Sequence, residues 1–112
     1  MDDVRTAYAA GFIDGEGCIT IASRYLDAEL RLQVGQKVRE PLDVLQDTFG
    51  VGSIYAVRAT DSYLYVANGR KALRVLELVL PYLIVKKEQA KLSFDYYAAP
   101  ANSTERRRIA EQ

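Results

Sequence analysis

The spacing of apolar residues changes from helical to alternating and back along the first half of the chain. Small and apolar residues recur three or four positions apart over residues 4–12, which predicts a helix. Two alternating runs follow, at residues 18–25 and 29–35, and they predict a hairpin with one apolar face and one polar, partly basic face. Pro41 then begins a second helical stripe that stops at Gly50.

The second half of the chain repeats this order. Residues 54–66 alternate around a turn and predict a second hairpin, while residues 69–80 and 86–98 have helical stripes that are each followed by a proline. The sequence therefore predicts an α+β fold of order αββαββα plus a last helix, with the helices packed against one four-stranded antiparallel sheet. We expect one domain over residues 1–100 and a polar tail over residues 101–112.

Composition and length are those of an ordinary globular domain. The chain has 112 residues, of which 49% are hydrophobic and 27% charged, enough for one buried core. No apolar run approaches the ~20 residues that a membrane-spanning helix needs, and no secretory leader pattern is present, so we expect an intracellular protein. One cysteine, Cys18, and no histidine argue against a disulfide and a zinc site, which leaves hard cations such as Mg²⁺.

Charge is balanced over the whole chain but not along it. Fifteen basic and fifteen acidic residues give a net charge of zero, which by itself argues weakly against binding to nucleic acid. Residues 18–39 nevertheless carry four basic and two acidic side chains, and residues 70–91 carry six basic and two acidic ones. A neutral total can therefore contain one basic surface.

The most informative stretch is Ala9–Gly17, which reads AAGFIDGEG. Small residues that suit close helix packing lead into two acids that alternate with glycine. This stretch resembles the signature of the LAGLIDADG homing endonucleases at its alanine, its first glycine, its isoleucine–aspartate pair and its final acid–glycine pair. The predicted order of elements and the later stretch LPYLIVKKEQAKL, at residues 80–92, also resemble that family.

The resemblance implies a fold, an activity and an assembly. The fold is the αββαββα homing-endonuclease fold, whose four-stranded sheet forms a saddle on DNA. The activity is site-specific hydrolysis of phosphodiester bonds in both strands of a long, pseudo-palindromic DNA target, which leaves short 3′ overhangs. One copy of the motif implies a homodimer in which two motif helices pack side by side. The implied contact residues are Ala7, Ala10, Gly11 and Asp14, the last of which also helps to fix the helix ends.

The resemblance also implies catalytic residues. Glu16, aided by the backbone carbonyl of Gly15, corresponds to the acid that binds a divalent cation, which orients water and neutralises charge on the phosphate. Gln36 resembles the residue that orders water near the metal. Lys86 resembles the lysine that acts on the scissile phosphate or the attacking water, and Lys87 is the alternative for that role. The implied cofactor is Mg²⁺, for which Mn²⁺ can substitute, whereas Ca²⁺ supports binding without cleavage.

The polar face of the predicted sheet is expected to bind DNA. Antiparallel strands fit the major groove, where arginine and glutamine can each pair with a base in bidentate fashion. The residues predicted on this face or at its hairpin ends are Thr20, Ala22, Arg24, Glu29, Arg31, Gln33, Lys37, Arg39, Tyr55, Arg58, Tyr63 and Tyr65. The tyrosines have a second interpretation, as strand formers on a half-exposed face.

The same scaffold is compatible with a second function. A cleavage-deficient DNA-binding regulator or an RNA-splicing maturase is favoured by the net charge of zero and by the short sequence after Pro100, but it would have no need of Glu16. A scaffold without a nucleic-acid role would instead show no salt-dependent DNA binding. A nuclease or a regulator would act inside the cell with the DNA, in the cytoplasm, the nucleoid or an organelle.

Overall fold

A four-stranded antiparallel sheet carries the helices on one of its faces. The computed structural model describes residues 3–24 and 27–98, with only the backbone described between residues 22 and 28, and the expected tail at residues 101–112 lies outside this part. Within the described residues the strands follow the order β1-β2-β4-β3. Their bounds are β1 (Gly17–Arg24), β2 (Asp27–Gln36), β3 (Ser53–Val57) and β4 (Ser62–Asn68).

Helices alternate with the two hairpins in the predicted order. Their bounds are α1 (Asp3–Glu16), α2 (Glu40–Phe49), α3 (Arg70–Val79) and α4 (Lys87–Ala98), with 3₁₀ turns at Arg58–Thr60 and Leu80–Tyr82. α2 has Pro41 in its first turn and ends at Gly50, which adopts the left-handed conformation at φ 70°. The predicted α+β class and order are therefore confirmed. None of these described helices combines the length and the apolar character that crossing a membrane requires.

The core lies between the helices and the apolar face of the sheet. Alternate residues of β2 supply its centre, because strand side chains point to opposite faces in turn. Burying a leucine or valine side chain contributes about 1.5–3 kcal/mol. A shift of β2 by one residue would move these side chains out of the core, so the register is strongly favoured. The larger fully buried aliphatic side chains are Ile13 of α1, Leu30, Leu32 and Val34 of β2, Leu42 and Leu45 of α2, and Val75, Leu76 and Val79 of α3.

The register of β4 places its tyrosines on the helix-covered face, so the prediction that Tyr63 and Tyr65 face DNA is wrong. Tyr65 pairs with Val34 and is 0% exposed, and its hydroxyl donates to the carbonyl of Val51 at 2.7 Å. Gly52 makes room for the ring, because a Cβ there would lie 2.5 Å from it and the φ of Gly52 is +99°. Tyr63 is half-buried against the same core.

The burial of Tyr65 predicts a loss of stability at alkaline pH. Burial raises the pKa of its hydroxyl from 10.0 to about 12, so the folded state favours the neutral phenol. The pKa of the Tyr65 hydroxyl is higher in the folded chain than in the unfolded chain. Its contribution to the free energy of unfolding is therefore complete below pH 10 and is lost as the pH rises towards about 12. The expected loss is about 2–3 kcal/mol, which urea unfolding across this pH range would measure.

Tyr65→Phe separates this effect from general alkaline unfolding. The variant loses the hydrogen bond to Val51, which costs about 0.5–1.5 kcal/mol at neutral pH, but its stability should fall less steeply above pH 10. Tyr55→Phe is the matched control, because the Tyr55 side chain is 55% exposed. Equal alkaline slopes in wild type and Tyr65→Phe would contradict this interpretation.

Candidate active site and nucleic-acid interface

Asp14 holds the C-terminal end of α1 to the segment before α4. Its Oδ2 atom accepts the backbone N–H groups of Ile84 at 2.9 Å and Val85 at 3.0 Å, and its Oδ1 atom accepts the N–H of Lys86 at 2.8 Å. In return, the Nζ atom of Lys86 donates to the backbone carbonyl of Asp14 at 2.7 Å. We call these four hydrogen bonds the Asp14 clamp.

The clamp keeps Asp14 ionised. Desolvation acts to raise the pKa of Asp14, but the three N–H donors and the charge of Lys86 outweigh it and hold the pKa below its usual value. An ionised carboxylate can accept from all three donors at once. Asp14 therefore ties the end of α1 to the start of α4 within its own chain, and its contact with a second subunit stays a prediction.

Glu16 is the last residue of α1, and both it and Gly15 are exposed. The last carbonyl groups of a helix have no partner within the helix and carry a negative partial charge, so a cation is favoured there. β1 begins immediately afterwards at Gly17, where a Cβ would lie 2.7 Å from the carbonyl oxygen of Ile13. Glycine permits this abrupt change from helix to strand, which leaves Glu16 exposed at the junction.

Gln36 lies at the end of the sheet where α1 stops. Gly17 pairs with Val34 at the start of β1, and Gln36 follows two residues later on β2 as its last residue. Its side chain is half-buried and shares the face of Val34, since alternate strand residues point the same way. The register therefore brings Gln36 and Glu16 to one end of the sheet.

The two candidate lysines have different surroundings. Lys86 is half-buried, and its amine is bound at the backbone carbonyl of Asp14, two residues before Glu16. Lys87 is the first residue of α4 and is exposed. The amine of Lys86 thus lies at the end of the motif helix, which favours Lys86 over Lys87 as the lysine of the candidate site.

The oxygen atoms at the end of α1 suit a hard cation. Glu16 offers a carboxylate and Gly15 a backbone carbonyl, which are ligands that Mg²⁺ prefers. Over residues 3–24 and 27–98, no three or more His, Cys, Asp or Glu side chains come together as a metal site. The donors present fit a divalent cation only with further ligands from a second chain, nucleic acid or water.

The sheet face away from the helices, here called the open face, carries several of the predicted DNA-binding residues. Arg31 and Gln33 flank the buried Leu32 on β2 and so lie on the opposite face. Cys18, opposite Gln33, is also exposed there and was not predicted. The side chains of Ala22 and Arg24 lie outside the described part of the structure. Predicted residues placed on the open face are Thr20, Glu29, Arg31, Gln33 and Tyr55.

Arg31 and Gln33 form a pair on the open face. With the amide of Gln33 oriented so that its oxygen faces Arg31, that oxygen accepts from Nη2 at 2.8 Å and from Nε at 3.0 Å. The guanidinium is exposed but is already held in one direction. A side chain restrained in this way loses less conformational entropy when it binds, so the pair is suited to recognition of a polar partner.

The predicted basic residues outside the strands gather at one end of the sheet. The Nζ atom of Lys37 donates to the carbonyl of Thr60 at 2.8 Å, which ties the loop after β2 to the β3–β4 connection. Arg58 is exposed in that connection. Arg39 is exposed too, but its Nε atom lies 3.2 Å from Oδ1 of Asp43, which offsets its charge. Lys37 and Arg58 are therefore the stronger candidates for contact with phosphate.

A pocket of about 450 Å³ lies along the edge strand β3. Its lining includes Tyr55 and Asn68 together with two exposed basic side chains, Arg70 and Lys71, from the start of α3. The pocket was not predicted, and its only signal in the sequence is the basic excess over residues 70–91. The pocket brings these two side chains, here called the basic margin, next to Tyr55 of the open face. The guanidinium of Arg70 also lies over the Tyr97 ring of α4, 5.4 Å from its centroid.

Helix α1 has two apolar stripes, and only one of them faces the core of its own chain. The buried stripe consists of Thr6, Ala9, Ala10 and Ile13. Ala10 is 0% exposed, so its prediction as a dimer contact is wrong. On the other stripe Val4 is 78% and Tyr8 50% exposed, Ala7 is half-buried and Gly11 is exposed. This exposed stripe leads directly to Gly15 and Glu16.

Comparison with known proteins decides the family. The model of the LAGLIDADG endonuclease family matches residues 9–99, from the start of the motif to the end of α4. The chain belongs to the LAGLIDADG endonuclease family. This LAGLIDADG protein is 35% identical over 105 residues to the DNA endonuclease I-CvuI of Chlorella vulgaris, with 81% of this chain and 62% of I-CvuI covered. It therefore spans less than two thirds of that relative's length.

Solved LAGLIDADG structures have the same fold. A crystal structure of the homing endonuclease I-CvuI with the I-CreI target in the presence of Mg, in which the DNA is not cleaved, is similar with a TM-score of 0.76 at 30% identity. That match covers 85% of this chain and 66% of the other. The archaeal intron-encoded homing endonuclease I-Vdi141I, complexed with DNA, has a TM-score of 0.76 at 21% identity, covering 88% and 69%. At 21% identity, the similarity to I-Vdi141I shows a shared fold only.

Proposed function

We propose that this LAGLIDADG protein is a site-specific double-strand DNA endonuclease that acts as a homodimer on a long, pseudo-palindromic target. One observation carries the proposal: Glu16 is exposed at the end of a helix whose outer stripe is apolar, directly before the first strand of the sheet. A carboxylate in that place is otherwise unexplained, because negative charge is unfavourable at a helix C-terminus. The protein would act inside the cell, where the DNA is.

The homodimer follows from the exposed stripe of α1. Val4 and Tyr8 are large apolar side chains that water covers in the single chain. Gly11 is exposed and has no side chain, so another backbone can approach it closely. Two stripes packed across a two-fold axis would bury these groups. The same packing would bring the two Glu16 carboxylates together at the end of the paired helices.

Glu16 and the carbonyl of Gly15 would hold the divalent cation, and Mg²⁺ is the proposed ion. When bound, such an ion neutralises charge that develops on the phosphate and activates water for attack. The amine of Lys86 supplies a fixed positive charge for the phosphate, which stabilises negative charge most where water is excluded. The amide of Gln36, at the same end of the sheet, can both donate to and accept from water.

The open face would read the DNA sequence in the major groove. Arg31 and Gln33 have the side chains that pair with guanine and adenine in bidentate fashion, and each such pair gives about 1–3 kcal/mol of discrimination. Thr20 and Tyr55 lie on the same face. Lys37 and Arg58 at one end and Arg70 and Lys71 along β3 would contact phosphates, which position the protein without reading sequence.

The alternative function is a cleavage-deficient DNA-binding regulator or an RNA-splicing maturase. The net charge of zero favours it. The nuclease is the better supported proposal, because the Asp14 clamp keeps the amine of Lys86 at the end of the motif helix next to an exposed Glu16. A protein that only binds nucleic acid would need neither the ordered amine of Lys86 nor the exposed carboxylate of Glu16.

A selection from a randomised duplex library tests the proposal. The protein is incubated with the library and Mg²⁺, and cleaved molecules are ligated to adaptors and sequenced. We expect recovery of one site with approximate two-fold symmetry. Molecules that are bound but never cut, in Mg²⁺ or in Mn²⁺, would support the regulator instead.

The basic margin along β3 gives a separate prediction on affinity. Arg70→Gln and Lys71→Gln should each weaken binding to all DNA sequences alike, and the slope of log K against log salt should fall by about 0.9 for each phosphate that is no longer neutralised. Binding measured from low to high salt, on target and unrelated duplexes, gives both quantities. Lys91→Gln is the matched control, because this exposed lysine lies on α4 and does not line the pocket. Salt slopes of both variants equal to that of the control would contradict a role for the margin.

A further inference from the structure

We propose that Asp14 is a positioning residue for the cleavage reaction: it fixes residues 84–86 against the end of α1 and so places the amine of Lys86 beside Gly15 and Glu16. The proposal rests on the proposed function and deepens it. Asp14 would touch neither the DNA nor the metal, and would act through Lys86.

The geometry leaves little freedom in the clamped segment. Three consecutive N–H groups, those of Ile84, Val85 and Lys86, donate to the two oxygens of one carboxylate within 3.0 Å. Hydrogen bonds to a charged acceptor are shorter and stronger than those between neutral groups. The backbone of this segment is therefore held to the end of α1 over its whole length.

Burial does not hold the segment in place. Leu83 is the last side chain before it that is buried, at 2% exposure, whereas Ile84 is 83% and Val85 76% exposed. Apolar side chains in water contribute no packing energy to their backbone. The hydrogen bonds to Asp14 are thus the interactions that place the segment, and loss of the carboxylate should release it.

Lys86 is restrained at its backbone N–H, at its backbone carbonyl and at its side-chain amine. Its N–H is bound by the carboxylate of Asp14, its carbonyl accepts the N–H of Ala90 at 3.0 Å in the first turn of α4, and its Nζ atom is docked on the carbonyl of Asp14. A free lysine side chain loses much conformational entropy when it is ordered. The clamp has already ordered this amine before any substrate arrives.

The prediction follows from the cost of misplacing a catalytic group. Asp14→Asn keeps one acceptor oxygen but replaces the other with an amide nitrogen that cannot accept, so Lys86 should move. A displacement of ~1 Å at a reacting centre costs about 100-fold in rate. Affinity for DNA should change little, because the open face is built by β1–β4 and not by the clamp.

A double-mutant cycle with Lys86→Met separates positioning from simple loss of structure. Single-turnover cleavage and DNA affinity are measured for wild type, Asp14→Asn, Lys86→Met and the double variant, with Asp95→Asn, an exposed acid on α4, as the control. We expect Asp14→Asn to lower the cleavage rate about 100-fold in the wild-type background. In the Lys86→Met background Asp14→Asn should lower the residual rate by no more than about 3-fold, since the effects of substitutions at interacting residues are not additive.

An equal loss in both backgrounds would overturn the proposal, because Asp14 would then act independently of Lys86. A wild-type rate in Asp14→Asn would overturn it as well. If Asp14→Asn does not fold, Asp14→Glu serves in its place, since it keeps both oxygens and the charge but displaces the segment by one methylene. In the cycle with Asp14→Glu, an equal loss of rate in both backgrounds or a wild-type rate would again overturn the proposal.

Amide hydrogen exchange tests the clamp without any reaction. The N–H groups of Ile84, Val85 and Lys86 should be protected in wild type and Lys86→Met and should exchange faster in Asp14→Asn, while the rest of α4 stays protected. Unchanged exchange in Asp14→Asn would overturn the positioning role even if the protein cuts DNA. A protected clamp in a protein that cuts no duplex would contradict the proposed nuclease function and not the clamp itself.

Discussion

Replacement of Glu16 with glutamine should abolish cleavage of the target while DNA binding stays nearly unchanged. Glutamine has the shape of glutamate but no charge, so the divalent cation loses its protein carboxylate and the several kcal/mol of stabilisation that it gives to the transition state. That loss corresponds to at least about 1,000-fold in rate. The fold should not change, because Glu16 is exposed and is the last residue of α1.

Single-turnover cleavage in Mg²⁺ and affinity in Ca²⁺ measure the two halves of this prediction. Glu77→Gln, which removes an exposed acid from α3, controls for the change in net charge. A Glu16→Gln protein that cuts at the wild-type rate would show that the carboxylate at the end of α1 is not the metal ligand. A wild type that binds without cutting would favour the regulator or maturase.

Replacement of Gly11 with leucine should dissociate the proposed dimer and abolish the proposed cleavage while the single chain folds at least as well as wild type. Gly11 is exposed, and a Cβ added there would have no atom within 4 Å outside the backbone of its own helix, so a side chain at this position would start into open space. Removing glycine from a helix interior should stabilise the chain by about 0.5–1 kcal/mol. Between two packed helices, the same side chain would hold the backbones apart. The same substitution is therefore expected to raise the stability of the single chain and to weaken its assembly.

Analytical ultracentrifugation gives the state of assembly, and urea unfolding at low protein concentration gives the stability of the single chain. Ala98→Leu is the matched control, because it enlarges an exposed small residue on α4 and not on α1. If Gly11→Leu remained dimeric and active, the exposed stripe of α1 would not be the dimer contact. A folded, monomeric Gly11→Leu protein that still cuts both strands would mean that the site is complete in one chain.

The elements could be predicted because local patterns and their ends agree. Polar and apolar residues alternate along β2 without ambiguity, and α2 has Pro41 at its start and Gly50 at its end. In β4 the pattern is ambiguous, since both Tyr63 with Tyr65 and Leu64 with Val66 are apolar enough to be buried. Only the register, and the space that Gly52 leaves for the Tyr65 ring, decides between the two faces.

The candidate site was only partly predictable for a related reason. The motif located Glu16 and Asp14, but no pattern within α1 could show that Asp14 binds residues 84–86, which lie 70 to 72 positions away. Small residues on two adjacent stripes of one helix look alike in sequence. That is why Ala10 was assigned to the surface although it is buried in the core.

The basic margin along β3 illustrates a third limit. Arg70 and Lys71 were visible only as part of a basic excess in the second half of the chain. Their place beside Tyr55 depends on how α3 packs on the sheet, and local sequence does not contain that information. Long-range packing, and not the identity of the residues, is what the sequence alone could not supply.

The most direct test of the central claim is to map the cut positions on both strands of the selected duplex after reaction with wild-type protein and Mg²⁺. A dimer with one Glu16 per subunit should cut each strand once, at positions related by the two-fold axis of the target, and leave short 3′ overhangs. An intact duplex held by a folded dimer, or a nick in one strand only, would contradict the account.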